Sequence, residues 1–156
     1  DPIATRDRCN LGHLAERVVD DADSDAVTVS SPTEPVEIRT DSDVVRLVLE
    51  ELIDNALEHT DREAPTVTVT VRRTDDGGAL EVRDDGPGIP DREREILLAG
   101  EESAAMHGTG IGLWLVYWGV TRLGGQLSFA DRHPRGSVVT VSLPDHSSAE
   151  ETNATF

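Results

Sequence analysis

Three short segments of the sequence carry residues whose types and spacing could do chemistry. In the first segment, Glu51, Asn55 and His59 recur every four residues, so on a helix they would stack along one side. A carboxylate, an amide and an imidazole in a row offer oxygen and nitrogen ligands to a hard cation, and they could also meet a phosphate. A solvated helix face has the same spacing, so this segment alone leaves both interpretations open.

The second segment runs from Arg83 to Pro90 and places two glycines, Gly86 and Gly88, shortly after Asp84. Glycines let the backbone come close to a ligand. A carboxylate at the base of such a loop can accept a hydrogen bond from an amino group. An ordinary surface turn would have a similar composition, so both interpretations stay open here too.

The third segment is Gly108-Thr109-Gly110-Ile111-Gly112-Leu113, which leads directly into a predicted helix. The unpaired N–H groups and the positive dipole end of a new helix form a cradle for anions such as phosphates. The segment is not a Walker A loop, because no Lys-Ser or Lys-Thr pair follows. It is not a Rossmann fingerprint either, because it does not follow a strand and open a βαβ unit.

The spacing of apolar residues predicts the elements that must position these segments. It predicts helices at residues 11–22, 40–59, 91–99 and 110–123, and strands at residues 26–30, 36–39, 66–73, 79–83, 126–130 and 137–143. Consecutive strands would pair as hairpins, with helices between the pairs. The expected fold class is therefore α+β, a two-layer α/β sandwich whose mixed, mostly antiparallel sheet carries helices packed on one face. Residues 11–144 would form the domain, residues 1–10 a linker from an upstream region, and residues 145–156 a flexible tail.

The composition excludes several classes of function. The chain has 156 residues and a formal net charge of −17, and all 14 of its cationic residues are arginine. Such a surface repels phosphate backbones and anionic lipids, so we expect no nucleic-acid partner and no direct membrane contact. Acidic, lysine-free surfaces suit molar salt, where the Debye length is about 3 Å. We therefore expect a halophilic source, a haloarchaeon, and a cytoplasmic location, including where the parent protein is attached to a membrane.

Taken together, the three segments resemble the motifs of the GHKL ATP-binding family, whose fold is also called the Bergerat fold. The N box of the family resembles residues 51–60, the G1 box residues 84–89, and the G2 box residues 108–113. Gly136-Ser137 and the following residues up to 144 are similar to the last strand of the family. The resemblance covers residues 11–144, and its order and spacing match the histidine-kinase branch best.

The resemblance implies a role for each motif residue. Asn55 would bind Mg²⁺, which bridges the triphosphate of ATP, and Asp84 would accept a hydrogen bond from the adenine amino group. Glu51 would act as a general base toward water or an incoming histidine, or else as a helper of the residues around it. The implied cofactor-binding positions are Asn55, His59, Asp84, Gly86, Gly88, Ile89, Gly108, Thr109, Gly110, Ile111, Gly112, Leu113 and Ser137, with Glu51 and Asn55 as the catalytic pair.

The resemblance also implies a function. The chain would be the catalytic domain of a sensor histidine kinase, which binds ATP and Mg²⁺ and transfers the γ-phosphoryl group to a histidine on a separate dimerisation domain. A response regulator would then be an indirect partner in two-component signalling. Two alternatives stay open: a self-contained GHKL-type ATPase that uses Glu51 to activate water, and a non-catalytic ATP-binding module.

Overall fold

The structure, a computed structural model, describes residues 7–22, 24–58, 63–86, 111–131 and 135–147. These ranges contain three helices and seven strands. The order is β1 (Asp7–Asn10), α1 (Leu11–Asp21), β2 (Val27–Ser30), β3 (Glu37–Thr40), α2 (Ser42–Glu58), β4 (Val67–Arg73), β5 (Gly77–Asp84), α3 (Ile111–Arg122), β6 (Gln126–Asp131) and β7 (Ser137–Pro144).

A five-stranded sheet in the order β2-β4-β5-β7-β6 forms the main layer. Its pairs are antiparallel except for β2 and β4, which run parallel. A separate two-stranded antiparallel sheet joins β1 and β3. On β4, Val67, Val69 and Val71 are buried while Thr68 and Thr70 between them are partly exposed, because one face of the sheet is covered. The predicted class of a mixed, mostly antiparallel α+β sandwich is confirmed.

The long helix α2 supplies much of the core. Its buried residues include the predicted apolar stripe of Val45, Val48, Leu49, Leu52 and Ala56. It packs against α3 and α1, and it also contacts β4 and β5 of the main sheet. One side of α2 is therefore fixed in the core, and this fixes the direction in which its polar residues project.

The structure differs from the predicted hairpins at the first strand pair. β2 and β3 do not pair with each other, since β2 joins β4 in the main sheet while β3 joins β1. The prediction of a hairpin there is wrong, because the segment between them contains Pro32 and Pro35 and carries the chain from one sheet to the other. β1 was not predicted, because only Cys9 in this short polar stretch is buried. The predicted helix at residues 91–99 lies outside the described residues.

Residues 145–147, which we call the C-terminal clasp, fasten the end of β7 to three other parts of the fold. The amide of Asp145 donates to the carbonyl of Asp76 over 2.8 Å, and the amide of His146 donates to the carbonyl of Arg39 over 3.0 Å. Nε2 of His146 lies 3.0 Å from the carbonyl oxygen of Leu123. The first residues of the expected tail thus belong to the fold, as do residues 7–10 of the expected linker, because backbone hydrogen bonds hold both.

We expect Asp145→Ala to lower the free energy of unfolding at neutral pH by about 1–3 kcal/mol. Asp145 Oδ1 accepts hydrogen bonds from the amides of Arg39 and Ser147, over 2.9 and 3.0 Å, and the variant leaves both donors without this acceptor. Burial alone would raise the pKa of Asp145, but these bonds and the neighbouring His146 outweigh burial and lower it.

The pKa of Asp145 is lower in the folded state than in the unfolded state. Ionised Asp145 therefore stabilises the fold fully above the ordinary aspartate pKa, and this effect is lost as the pH falls through the pKa of the folded state. Urea unfolding should therefore show a clear difference between wild type and variant at neutral pH, and a much smaller one in acid. The exposed Asp75→Ala is the control. An unchanged unfolding midpoint in Asp145→Ala would show that the Asp145 carboxylate adds no stability to the clasp.

Candidate functional site

A cavity between α2 and the main sheet brings together residues that are far apart in the sequence. It is lined by Leu52, Asn55, Ala56, Val82, Asp84, Phe129, Ser137 and Val139. These residues come from α2, β5, β6 and β7. Three predicted site residues, Asn55, Asp84 and Ser137, therefore share one cavity.

The floor of the cavity is a row of apolar side chains across three strands. Val82 of β5 is in register with Val139 of β7, and Val139 is in register with Phe129 of β6. Leu52 and Ala56 of α2 line the same cavity. A narrow apolar cavity of this kind suits a planar ring better than a charged group. The sequence marked these residues only as core positions of strands and a helix, because the cross-strand register is not visible in it.

The carboxylate of Asp84 is held by two hydrogen bonds at the edge of this floor. Oδ2 accepts from the hydroxyl of Ser137 over 2.7 Å, and Oδ1 accepts from the amide of Gly86 over 2.9 Å. Ser137 is only 1% exposed, so its hydroxyl is fixed in this role. An ionised carboxylate has about four lone-pair positions, so it can accept further hydrogen bonds from a ligand.

Gly136 lets the start of β7 come close to the end of β5. Its φ is 108°, in the region that favours glycine, and an added Cβ would lie 2.0 Å from the carbonyl oxygen of Asp84. A side chain at position 136 would therefore push the two strands apart. This close approach explains why Gly136 precedes Ser137, the residue that holds Asp84.

Side chains hold the chain after Asp84, where the strand pairing ends. Asp84 and Ser137 are the last residue pair of the β5–β7 ladder. Beyond it, the carboxylate of Asp85 accepts from the amide of Thr66 over 3.1 Å, and Nε of Arg135 donates to the carbonyl of Gly86 over 3.0 Å. The role of Arg135 was missed in the sequence, because nothing in a lone arginine before a glycine indicates its partner.

The helix α2 places Glu51 and Asn55 one turn apart, as the spacing predicted. Both are half-buried, and Asn55 lines the cavity. The pKa of the Glu51 carboxyl is raised, first by burial and then by the negative charges of Asp54, Glu50 and Glu58. A carboxyl whose pKa lies nearer to neutrality is better suited to accept a proton. His59, the third member of the predicted stack, lies outside the described residues.

Among the described residues, no group of three or more His, Cys, Asp or Glu side chains could hold a metal ion. The amide oxygen of Asn55 is one hard oxygen donor at the mouth of the cavity. Mg²⁺ is commonly bound through few protein ligands, with water and substrate phosphates completing its shell. Asn55 therefore fits a magnesium ion that arrives together with a nucleotide.

The remaining predicted positions fall partly outside the described ranges. Gly88, Ile89, Gly108, Thr109 and Gly110 lie outside them. Ile111, Gly112 and Leu113 form the first turn of α3, which starts at Ile111, one residue later than predicted. The glycine-rich segment was predicted to lead into a helix, and the backbone of its second half, residues 111–113, forms the start of α3.

A match to a known protein family covers the residues that line this cavity. The sequence matches the family of histidine kinase-, DNA gyrase B-, and HSP90-like ATPases over residues 40–147. The chain belongs to this family. The match includes α2 and the strands that form the cavity, so Asn55, Asp84 and Ser137 all lie within the part that defines this ATPase family.

The relatives of this ATPase-family chain include a sensory kinase and a sensor protein. It is 26% identical over 122 residues to the adaptive-response sensory kinase SasA of Synechocystis sp., covering 76% of this chain and 32% of SasA. It is 33% identical over 133 residues to the aerobic respiration control sensor protein ArcB of Escherichia coli, covering 78% of this chain and 16% of ArcB. The chain therefore spans a third or less of the length of these relatives.

The fold of this ATPase-family chain is also found in solved structures. The ATP binding domain of PrrB from Mycobacterium tuberculosis superposes with a TM-score of 0.71 at 22% identity, covering 90% of this chain and 97% of that domain. At this identity the likeness shows a shared fold.

None of the helices among the described residues has the length and hydrophobicity of a membrane span.

Proposed function

We propose that this chain is the ATP-binding catalytic domain of a sensor histidine kinase. It binds ATP with Mg²⁺ and transfers the γ-phosphoryl group to a histidine on a separate dimerisation domain of the parent kinase. The observation that carries the proposal is the carboxylate of Asp84, held by Ser137 and Gly86 beside an apolar cavity that Asn55 also lines. The relatives also include a sensor histidine kinase, ZraS of Klebsiella oxytoca, which supports the transfer to histidine.

The residues that line the cavity suit the base of ATP. The apolar row of Val82, Val139 and Phe129 would contact the ring, and Asp84 would accept a hydrogen bond from the amino group of adenine. Because the carboxylate already has two donors inside the protein, it is held in one orientation before the base arrives. The cavity thus offers the base both contact area and one fixed acceptor.

The triphosphate would extend from the base toward Asn55 and the first turn of α3. The amide oxygen of Asn55 would hold Mg²⁺, which when bound neutralises the phosphate charge in a protein whose own net charge is −17. The N–H groups at the start of α3, near Ile111 and Gly112, would bind phosphate oxygens.

In the transfer, the bond between the γ-phosphorus and the β–γ bridging oxygen breaks, a bond to the attacking histidine nitrogen forms, and ADP leaves. Glu51 lies one helical turn before Asn55 and has a raised pKa, so it is placed to accept the proton that the histidine loses. The protein contributes positioning and electrostatics and forms no covalent bond of its own.

Glu51 also keeps a second function open, a self-contained ATPase in which water takes the place of the histidine. The sensor kinases among the relatives do not favour this alternative. A non-catalytic module is disfavoured by the presence of both Asn55 and Asp84 in the cavity.

To separate kinase from ATPase, the protein is incubated with ATP labelled at the γ-phosphate and a histidine-bearing dimerisation domain in molar KCl. Acid-labile label on the dimerisation domain supports the kinase, and phosphate release without it supports the ATPase.

We expect removal of Mg²⁺ to weaken ATP binding by at least about tenfold, a free-energy change of 1.4 kcal/mol. Asp84 lines the cavity, and Glu51 lies one helical turn before Asn55 on α2, so both acids repel an unshielded triphosphate. Titration calorimetry in excess Mg²⁺ and in excess EDTA at constant ionic strength measures the difference. Adenosine, which carries no phosphate, is the control ligand and should bind equally in both buffers. Equal ATP affinities would remove the metal from the proposal.

The composition supports two further parts of the proposal, the source and the location. A net charge of −17 with arginine as the sole basic residue type besides histidine fits a halophilic, haloarchaeal source and a cytoplasmic location. A response regulator would receive the phosphoryl group from the dimerisation domain. Thermal unfolding of the protein in rising KCl tests the adaptation to salt, which requires the melting temperature to increase with salt.

A further inference from the structure

The turn that follows Asp84 is fixed by a residue from a different part of the chain. The β5–β7 ladder ends at Asp84 and Ser137, so strand pairing does not hold the residues after Asp84. Gly86 nevertheless has partners for both of its backbone polar atoms. Its amide donates to Oδ1 of Asp84 over 2.9 Å, and its carbonyl accepts from Nε of Arg135 over 3.0 Å.

These two contacts connect Arg135 to the carboxylate of Asp84. Arg135 fixes the carbonyl of Gly86, and the amide of the same glycine fixes Oδ1 of Asp84. Ser137, two residues after Arg135, fixes Oδ2 over 2.7 Å. Gly136 between them allows the close approach that both contacts need. The orientation of Asp84 therefore depends on a three-residue segment, Arg135 to Ser137, in which Ser137 binds the carboxylate and Arg135 binds the carbonyl of Gly86.

We propose that Arg135 is a positioning residue that sets the selectivity of this site for adenine, by fixing the turn from Asp84 to Gly86 through the carbonyl of Gly86. The proposal rests on the proposed function, since it names the part of the site that distinguishes bases. A carboxylate accepts hydrogen bonds, so it favours a base that presents an amino group over one that presents a carbonyl oxygen. That preference requires the carboxylate to stay in place, because a carboxylate free to turn away no longer penalises the wrong base.

The test compares ATP with inosine triphosphate, whose base carries an oxygen in place of the adenine amino group. Binding of both is measured by calorimetry in molar KCl with Mg²⁺, for wild type, Arg135→Ala and Arg135→Lys. We expect Arg135→Ala to weaken ATP binding by about tenfold and inosine triphosphate binding by less than about twofold, the scale of one charge-assisted hydrogen bond. Arg135→Lys keeps the charge and a donor, and should recover part of the preference.

The matched control is Arg73→Ala. Arg73 also donates from its side chain to a backbone carbonyl, that of Pro35 over 3.1 Å, but it lies at the far end of β4 from the cavity. The Arg73→Ala variant loses the same charge as Arg135→Ala, but it should leave the ratio of the affinities for ATP and inosine triphosphate unchanged. An equal loss of affinity for both nucleotides in Arg135→Ala, or an unchanged ratio, overturns the proposal.

A second measurement keeps this proposal separate from the proposed function. Amide hydrogen exchange in the nucleotide-free protein should be about tenfold faster at Gly86 in Arg135→Ala than in wild type, and unchanged in Arg73→Ala. If wild type binds neither nucleotide, the proposed function fails and the selectivity role fails with it, whatever the exchange result. If wild type binds ATP but the variant exchanges Gly86 at the wild-type rate, the role of Arg135 fails alone.

Discussion

Replacing Asp84 by alanine should weaken ATP binding by at least about 100-fold, as expected when a hydrogen bond to a charged group is lost from a closed site. The variant removes the one fixed acceptor at the edge of an otherwise apolar cavity floor. The amino group of adenine would then be buried without a partner, so no hydrogen bond would offset the free energy of removing it from water. Titration calorimetry in molar KCl with Mg²⁺ measures the loss.

The same variant also leaves the hydroxyl of Ser137 and the amide of Gly86 without an acceptor, so some stability is lost too. Asp84→Asn is the second variant, because it keeps the shape and one acceptor oxygen while it replaces the other oxygen by a donor. Asp76→Ala, at the opposite end of β5, is the control for the loss of one acidic residue. If Asp84→Asn stays folded and binds ATP as wild type does, Asp84 does not recognise the base.

Glu51→Gln should lower the rate of phosphoryl transfer by about 10²–10⁴-fold, the usual contribution of a general base. Binding of ATP should change little, because a base acts on the attacking group and not on the bound nucleotide. Glutamine keeps the shape of the side chain and cannot accept a proton in this way. Initial rates of label transfer to the dimerisation domain at saturating ATP measure the effect. The control is Glu16→Gln, at an exposed position on α1 that does not contribute to the raised pKa of Glu51.

The raised pKa of Glu51 gives this variant a second signature. Burial and the charges of Asp54, Glu50 and Glu58 disfavour the ionised form in the folded state. Ionised Glu51 therefore destabilises the fold above its folded pKa, and this penalty disappears as the pH falls below the ordinary glutamate value. Glu51→Gln should be more stable than wild type at neutral pH and equal to it in acid. A wild-type transfer rate in Glu51→Gln would contradict the role of Glu51 as the general base, whether or not the variant is more stable.

Local patterns in the sequence predicted much of the fold, because helix and strand periods are local properties. The apolar stripe of α2 and the alternation of β4 predicted both elements to within two residues. Pairing between distant segments could not be predicted in this way. The parallel alignment of β2 with β4, and the departure of β3 to a separate sheet, depend on which surfaces meet after collapse.

The same difference between local and distant features holds for the residues of the candidate site. Asn55 and Asp84 were found because each lies in a motif with its own spacing, and the structure places both at one cavity. Phe129 and Arg135 were not found, because each acts through a neighbour that is distant in the sequence. Phe129 reaches the cavity through its register with Val139, and Arg135 acts through the carbonyl of Gly86.

The hydrogen bond between Ser137 and Asp84 joins residues that are 53 positions apart. Such distant contacts form late when a chain folds, because closing a long loop costs conformational entropy before the contact can stabilise the chain. Neither the hairpin of β4 and β5 nor α2 alone can orient the carboxylate, because its Ser137 partner arrives only when β7 docks. If Asp84 recognises the base as proposed, partly folded chains would lack base recognition, and ATP would bind and stabilise only molecules whose main sheet is complete.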